Sequence, residues 1–161
     1  MSKQNSRPGW NEYFIQMAFL VAQRSTCKRH HVGAVIVRHK RVLTTGYNGA
    51  VSGRKHCIDV GCLRDRLGIK SGTMHEKCEA VHAEQNAIVQ AAKMGIALDK
   101  ASLYCTHQPC GICAKFIRQA GIIEVFYCFP YPDKYALELF TEADIQLVKL
   151  EKPSFEIIVK E

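Results

Sequence analysis

No run in the sequence comes near the ~18 consecutive apolar positions that a membrane-spanning helix needs, and residues 1–9 hold no apolar signal core. The expectation is a cytoplasmic protein with no membrane partner. Linkers, internal repeats and low-complexity tracts are also missing, and 161 residues sit within the ~100–200 usual for one domain. One domain over 1–161 is expected. The polar excess of a disordered chain is absent: 47% of residues are hydrophobic, 9% aromatic and 23% charged, which describes a packed globule. Eight cysteines in this length fall short of the ~8–10% that marks a secreted disulfide scaffold. In a reducing compartment disulfides are rare, so the thiols point to metal binding or catalysis.

Acidic residues are scarce in the first half. Residues 1–77 carry 14 Lys and Arg against 4 Asp and Glu, whereas residues 78–161 carry 8 against 11, within a net charge of +7. A basic half suits a polyanionic partner, nucleic acid or a phosphorylated small molecule, and equally a solvated surface that maintains solubility.

Apolar residues Trp10, Tyr13, Phe14, Met17, Ala18 and Val21 recur at helical spacing and predict a helix over 10–24. The β-branched runs 32–37 and 42–47, parted by a charged turn at 38–41, predict a hairpin. Helices are expected over 83–94 and 110–120, ended by Gly95 and Gly121, and near 133–142. Strands are expected at 102–105, 123–129 and 145–150, with a short tail at 155–159. The strand–helix–strand unit from 102 to 129 requires parallel strands joined by a crossover. The predicted fold is α/β, a three-layer α/β/α sandwich around a mixed five-stranded sheet. The connection 48–81 is too long for an idle loop in a compact domain, and its Cys/His-rich part, about 49–81, is expected to be functional or pinned.

Two motifs carry chemistry. His82-Ala83-Glu84 and Pro109-Cys110-Gly111-Ile112-Cys113 each stand where a loop enters a helix. Cys110 and Cys113, three apart, face the same way and can clamp one ion. With His82 they make one nitrogen and two sulfur ligands, which leaves the fourth tetrahedral position of a zinc open, the mark of a catalytic site. Two helix N-termini aimed at the metal favour the thiolates, and Pro109 suits a first helical turn. Glu84, close to His82 but not needed as a ligand, is placed to move a proton. Taken alone, Cys-x-x-Cys also fits a structural zinc or a redox pair.

These motifs resemble those of the zinc-dependent nucleobase deaminases. The resemblance spans about 10–150. It is closest to the deoxycytidylate (dCMP) deaminases, the bacterial competence-operon type included, through residues 32–37, Thr45-Gly46-Tyr47-Asn48-Gly49, 82–88 and 106–115. It implies a cytidine deaminase-like fold, zinc on His82, Cys110 and Cys113, and hydrolysis of dCMP to dUMP and ammonia for dTMP synthesis. Glu84 would take a proton from the attacking water and pass it to the cytosine ring and the departing amine. Asn48 would hold the sugar, or serve as a turn residue beside Gly49. Lys28 and Arg29 are candidates for the 5′-phosphate, or surface cations. Tyr131 would line the pocket or its rim. The resemblance further implies a homo-oligomer, often a hexamer, with dCTP and dTTP as effectors, and it shifts the reading of the basic half toward nucleotide phosphates before nucleic acid.

Cys57, His75 and Cys78 are a ligand set by type, and Cys27 can complete it. Some dCMP deaminases carry a second, structural zinc in this region, so a closed Cys3His site is expected that would stabilise the long insertion; scattered cysteines with a single zinc are the alternative. Cys62, Cys105 and Cys128 are then spare. His30, His31, His39 and His56 are assigned loop or surface roles, and His107 to the pocket border. Competing functions are a dCTP or dual dCMP/dCTP deaminase, a tRNA adenosine or free-nucleoside deaminase, and a zinc-stabilised nucleic-acid-binding competence protein.

Overall fold

The computed structural model describes residues 7–154; the tail expected at 155–159 lies outside them. Helix α1 (Trp10–Ala22) stops two residues short of its expected end. The hairpin forms from β1 (Gly33–Arg38) and β2 (Arg41–Tyr47), whose turn places His39 and Lys40 at positive φ. Such left-handed pairs match the twist of a two-residue hairpin. The chain then makes β3 (Gly49–Ala50), the single helical turns α2 (Cys57–Val60) and α3 (Leu63–Arg66), a 3-10 turn at His75–Lys77, and β4 (Ala80–Val81). After it come α4 (Ala83–Met94), β5 (Ser102–His107), α5 (Gly111–Gln119), β6 (Glu124–Phe129), α6 (Lys134–Glu142) and β7 (Gln146–Lys149). Gly95 and Gly121 do take positive φ at the ends of α4 and α5.

The main sheet runs β2-β1-β5-β6-β7. Strand β1 is antiparallel to β2 and β5, while β5, β6 and β7 are parallel. This is the mixed five-stranded sheet the sequence predicts. Strand β1 is buried from Gly33 to Val37 because both faces are covered. Ala34 and Ile36 join Leu103, Val125, Ala87, Ile117 and Phe140 in the core under α4, α5 and α6. Val35 and Val37 point the other way, with Tyr104 and Phe126, into the core under Phe14, Ile15 and Ala18 of α1. The period of two in a strand makes that division.

The insertion is not a bare loop. Pairing of β3 with β4, Gly49 opposite Val81 and Ala50 opposite Ala80, closes its base. Its interior is tied back to the body through Arg29, which bonds Asp65 and the Ile69 carbonyl, and through the Ile58 amide, which donates to Thr26 O. Elements of two to four residues leave no periodic signal, which is why the sequence shows none of them.

Gly46 sets how near α4 can come. A Cβ there would overlap the Ala83 carbonyl and the Ala87 amide, so the helix backbone lies directly on β2. Thr44 Oγ1 donates to Ala87 O at 3.1 Å and Asn86 Nδ2 to Tyr47 O at 2.8 Å, fixing the same contact by hydrogen bonds. Gly46→Ala must push α4 outward. Overpacking of this kind costs about 1–3 kcal/mol, and urea unfolding is expected to show that loss together with reduced zinc retention; an unchanged midpoint would contradict the packing account.

Candidate active site

His82 is the residue before α4 and Cys110 the residue before α5, so two helix starts meet beside the sheet. Gln85 Oε1 accepts from the His82 amide at 3.0 Å, which fixes the entry to α4. Asp133 does the corresponding work for α5: one carboxylate oxygen accepts from Gly111 N at 2.8 Å, the other from Ala136 N at 3.0 Å at the start of α6. One side chain thus joins two helix ends next to Cys110.

The His82 Nδ1 lies 3.3 Å from Cys113 Sγ and 3.5 Å from Cys110 Sγ. All three ligand atoms fall within 4.8 Å of one another, and among the described residues no other group of three or more potential ligands converges so closely. One imidazole and two thiols in this arrangement fit a zinc ion with a position left for substrate or water. The hydrogen bond from Cys113 holds the Cys110 thiol down to about 4 against its burial, with His82 adding to the effect. Cys113 is correspondingly pushed well up, first by Cys110 and then by burial. Burial acts to lower the His82 value, but its bond to Cys110 and the charge of Glu84 outweigh it and the net shift is upward.

Glu84 is 5% exposed. Burial raises its carboxyl above the ordinary value, opposed by the neighbouring His82. A carboxyl raised in this way holds a proton more readily than a free one, which suits a group that must take up a proton and give it back.

A cavity of ≈ 570 Å³ opens onto this group and is lined by His82, Glu84 and Cys110 together with much of the insertion. That volume is within the range usual for small-ligand sites. Asn48 lines it but its amide is already engaged: Oδ1 accepts from Ser25 Oγ at 2.6 Å and Val32 N at 2.9 Å, and Nδ2 donates to His30 O at 2.9 Å. It clamps residues 25–32 to the end of β2, with one Nδ2 hydrogen left over. Lys28 is exposed and is not part of the cavity lining, whereas Arg29 lines it. Tyr131 also lines it, and its hydroxyl lies 3.1 Å from His75 Nε2.

His75 stands against the catalytic group, its ring 5.2 Å from that of His82. The thiols expected with it, Cys27, Cys57 and Cys78, line the same cavity. Cys57 is raised chiefly by burial and next by the proximity of Cys27, Cys62 and Cys78, all of which border the same cavity. Cys62, assigned no role by sequence, thus stands with the other insertion cysteines. Arg64 and Gln108 are further cavity residues that sequence reading passes over. Arg64 is one of several basic residues in an unpatterned loop and gives no signal; Gln108 adjoins Pro109 and Cys110, and that adjacency was the available clue.

Residues 8–129 match the family model of the cytidine and deoxycytidylate deaminase zinc-binding region. The chain belongs to this deaminase family. It is 44% identical over 147 residues to the ComE operon protein 2 of Bacillus subtilis, covering 90% of this chain and 73% of that protein. It is 40% identical over 142 residues to the deoxycytidylate deaminase of Schizosaccharomyces pombe, covering 88% of this chain and 44% of the yeast protein, so it spans under half of that relative's length. The crystal structure of the dCMP deaminase of cyanophage S-TIM5 in complex with dCMP and dUMP superposes with a TM-score of 0.75 at 32% identity, over 91% of this chain and all of that one. The fold and the zinc chemistry expected from the motifs are those of this family.

His107, at the end of β5, borders the cavity with its ring 5.0 Å from Phe129 and 6.0 Å from His30. Burial, with help from His30, holds its imidazole down at about 4, against an ordinary 6.5. Between those values the unfolded chain takes up a proton that folded His107 refuses, so acid lowers stability across this window and the effect vanishes above it. Thermal melts of the zinc-loaded protein at about pH 7.5 and about pH 5 are expected to show a Tm drop that is smaller in His107→Gln. Equal drops in the two proteins would rule out His107 as the buried neutral group.

Proposed function

We propose that the protein hydrolyses dCMP and water to dUMP and ammonia. The observation that carries this reading is the convergence of His82, Cys110 and Cys113 with the buried carboxyl of Glu84 beside them, at the floor of a cavity of nucleotide size. Bound zinc supplies a water acidic enough to lose its proton near pH 7. His82, Cys110 and Cys113 hold the ion. Glu84 takes the proton of the attacking water and delivers it to the cytosine ring nitrogen, then takes the proton of the new hydroxyl on C4 and passes it to the departing amine, which leaves as ammonia. Its burial excludes bulk water from these transfers. Membership of the family and the cyanophage enzyme's complex with dCMP and dUMP support dCMP as the substrate.

A cytoplasmic location belongs to the same reading, supported by eight cysteines that are all free thiols; no described helix is long and apolar enough to cross a membrane. A homo-hexamer controlled by dCTP and dTTP belongs to the same reading; exposed Ile112 and Phe116 on α5 support contacts between copies. A second zinc is part of it as well, on Cys27, Cys57 and Cys78 with His75 or Cys62 as the fourth ligand, a reading supported by the presence of all five in the lining of one cavity.

Ammonia release from dCMP, dCTP, cytidine, deoxycytidine and tRNA tests the substrate. Turnover of dCMP is expected to exceed the rest, and no turnover of any cytosine nucleotide would favour a binding protein. Glu84→Gln is expected to keep its zinc and lose about 10³-fold or more in kcat, since it fails in both proton transfers. Zinc analysis of protein purified without chelator is expected to give two ions per chain, falling to one in Cys57→Ser; one ion in the parent protein would refute the second site.

A further inference from the structure

Five buried side-chain polar atoms lack a hydrogen-bond partner among the described residues: Thr26 Oγ1, Arg29 Nη1, Arg64 Nε, His75 Nδ1 and Gln108 Nε2. The last four belong to residues that line the cavity. Three of them, on Arg29, Arg64 and Gln108, are obligate donors. Buried donors without acceptors are costly, each by about 1–3 kcal/mol, so a wall that collects them is built for a ligand rich in acceptors.

The two arginines are not equivalent. Arg29 uses Nε and Nη2 on Asp65 and the Ile69 carbonyl, and its charge is matched by that carboxylate. Arg64 is 6% exposed. Its Nη2 donates to Lys70 O at 3.0 Å and Thr73 O at 2.7 Å, which fixes the guanidinium plane and consumes both hydrogens of that nitrogen. Neither carbonyl neutralises a charge, and neither of the ion pairs among the described residues, Arg29 with Asp65 and Arg54 with Glu79, includes Arg64. A buried guanidinium without an anion is strongly disfavoured unless one arrives. Arg64 lines the same cavity as His82, Glu84 and Cys110, with His75 and Tyr131 also in that lining.

We infer that Arg64 is the specificity-determining cation for the substrate's 5′-phosphate, delivered by the insertion, with Arg29 Nη1 as a second donor. The inference rests on the nucleotide-deaminase reading and assigns within it the group that separates dCMP from deoxycytidine. A phosphate monoester carries close to two negative charges at neutral pH and three strong acceptor oxygens. It supplies both the missing counter-charge of Arg64 and acceptors for the open donors. A bidentate guanidinium contact with phosphate is favoured over the point charge of a lysine. Lys28 is exposed and is not in the cavity lining, so the subsite is assigned to the two arginines.

The test compares kcat/KM for dCMP and for deoxycytidine, with no other nucleotide present, so that the phosphate being read is the substrate's own. The zinc-loaded wild type, Arg64→Gln and Arg64→Lys are measured. The wild type is expected to prefer dCMP. Arg64→Gln is expected to lose about 10- to 100-fold more on dCMP than on deoxycytidine, and Arg64→Lys to fall between Arg64→Gln and the wild type in that ratio. If Arg64→Gln does not fold, the lysine variant decides by the same ratio. Equal losses on both substrates, or an unchanged dCMP value, would overturn the inference, because a merely structural arginine damages both reactions alike. A wild type that converts no cytosine nucleotide would instead count against the nucleotide-deaminase reading.

Discussion

Three ligand atoms from two separate helix starts must meet within 4.8 Å, and the rest of the molecule is arranged around that requirement. His82 and Cys110 stand 28 residues apart at the N-terminal ends of α4 and α5. Only the sheet can hold two helix ends in such register. The small residues Ala83, Ala87 and Ala114, all fully buried, let the helices approach, and Gly46 lets α4 rest on β2 without a Cβ between them. Asp133 then locks the start of α5 to that of α6. Helix N-termini are positive ends, so the geometry that brings the ligands together also favours the thiolates that bind metal.

The parts of this that were legible in the sequence are those with a period or a fixed spacing. The alternation of Ala34, Val35, Ile36 and Val37, the helical stripe of residues 10–21 and the glycines at 95 and 121 gave the layers and their order. His82, Glu84, Cys110 and Cys113 were legible because metal chemistry constrains residue type and interval together. The insertion was not. Its two-residue strands and single turns fall below any period, and its shape depends on long-range ties such as Arg29 to Asp65 and the Ile58 amide to Thr26 O.

The same limit explains the substrate contacts. Asn48 stands at the end of β2 as expected, yet its amide is largely spent on Ser25, Val32 and His30, which makes it a clamp for the segment ahead of β1. Lys28 and Arg29 are neighbours in sequence, but one is exposed and the other turns inward to Asp65. Whether a cation is compensated depends on what folds against it, and Arg64 shows the opposite outcome, buried with carbonyls alone. The positive excess of residues 1–77 therefore resolves into unequal parts, a solvated surface and a small number of guanidinium groups directed at the cavity.

The proposed hydrolysis of dCMP depends on zinc held by His82, Cys110 and Cys113. Its most direct test is dCMP turnover measured while zinc is stripped from the protein and then restored, with dUMP and ammonia quantified together. Turnover is expected to disappear with the metal, return on its restoration, and yield the two products in equal amounts; turnover that survives complete zinc removal, or a zinc-replete protein inert toward dCMP, would contradict this dependence.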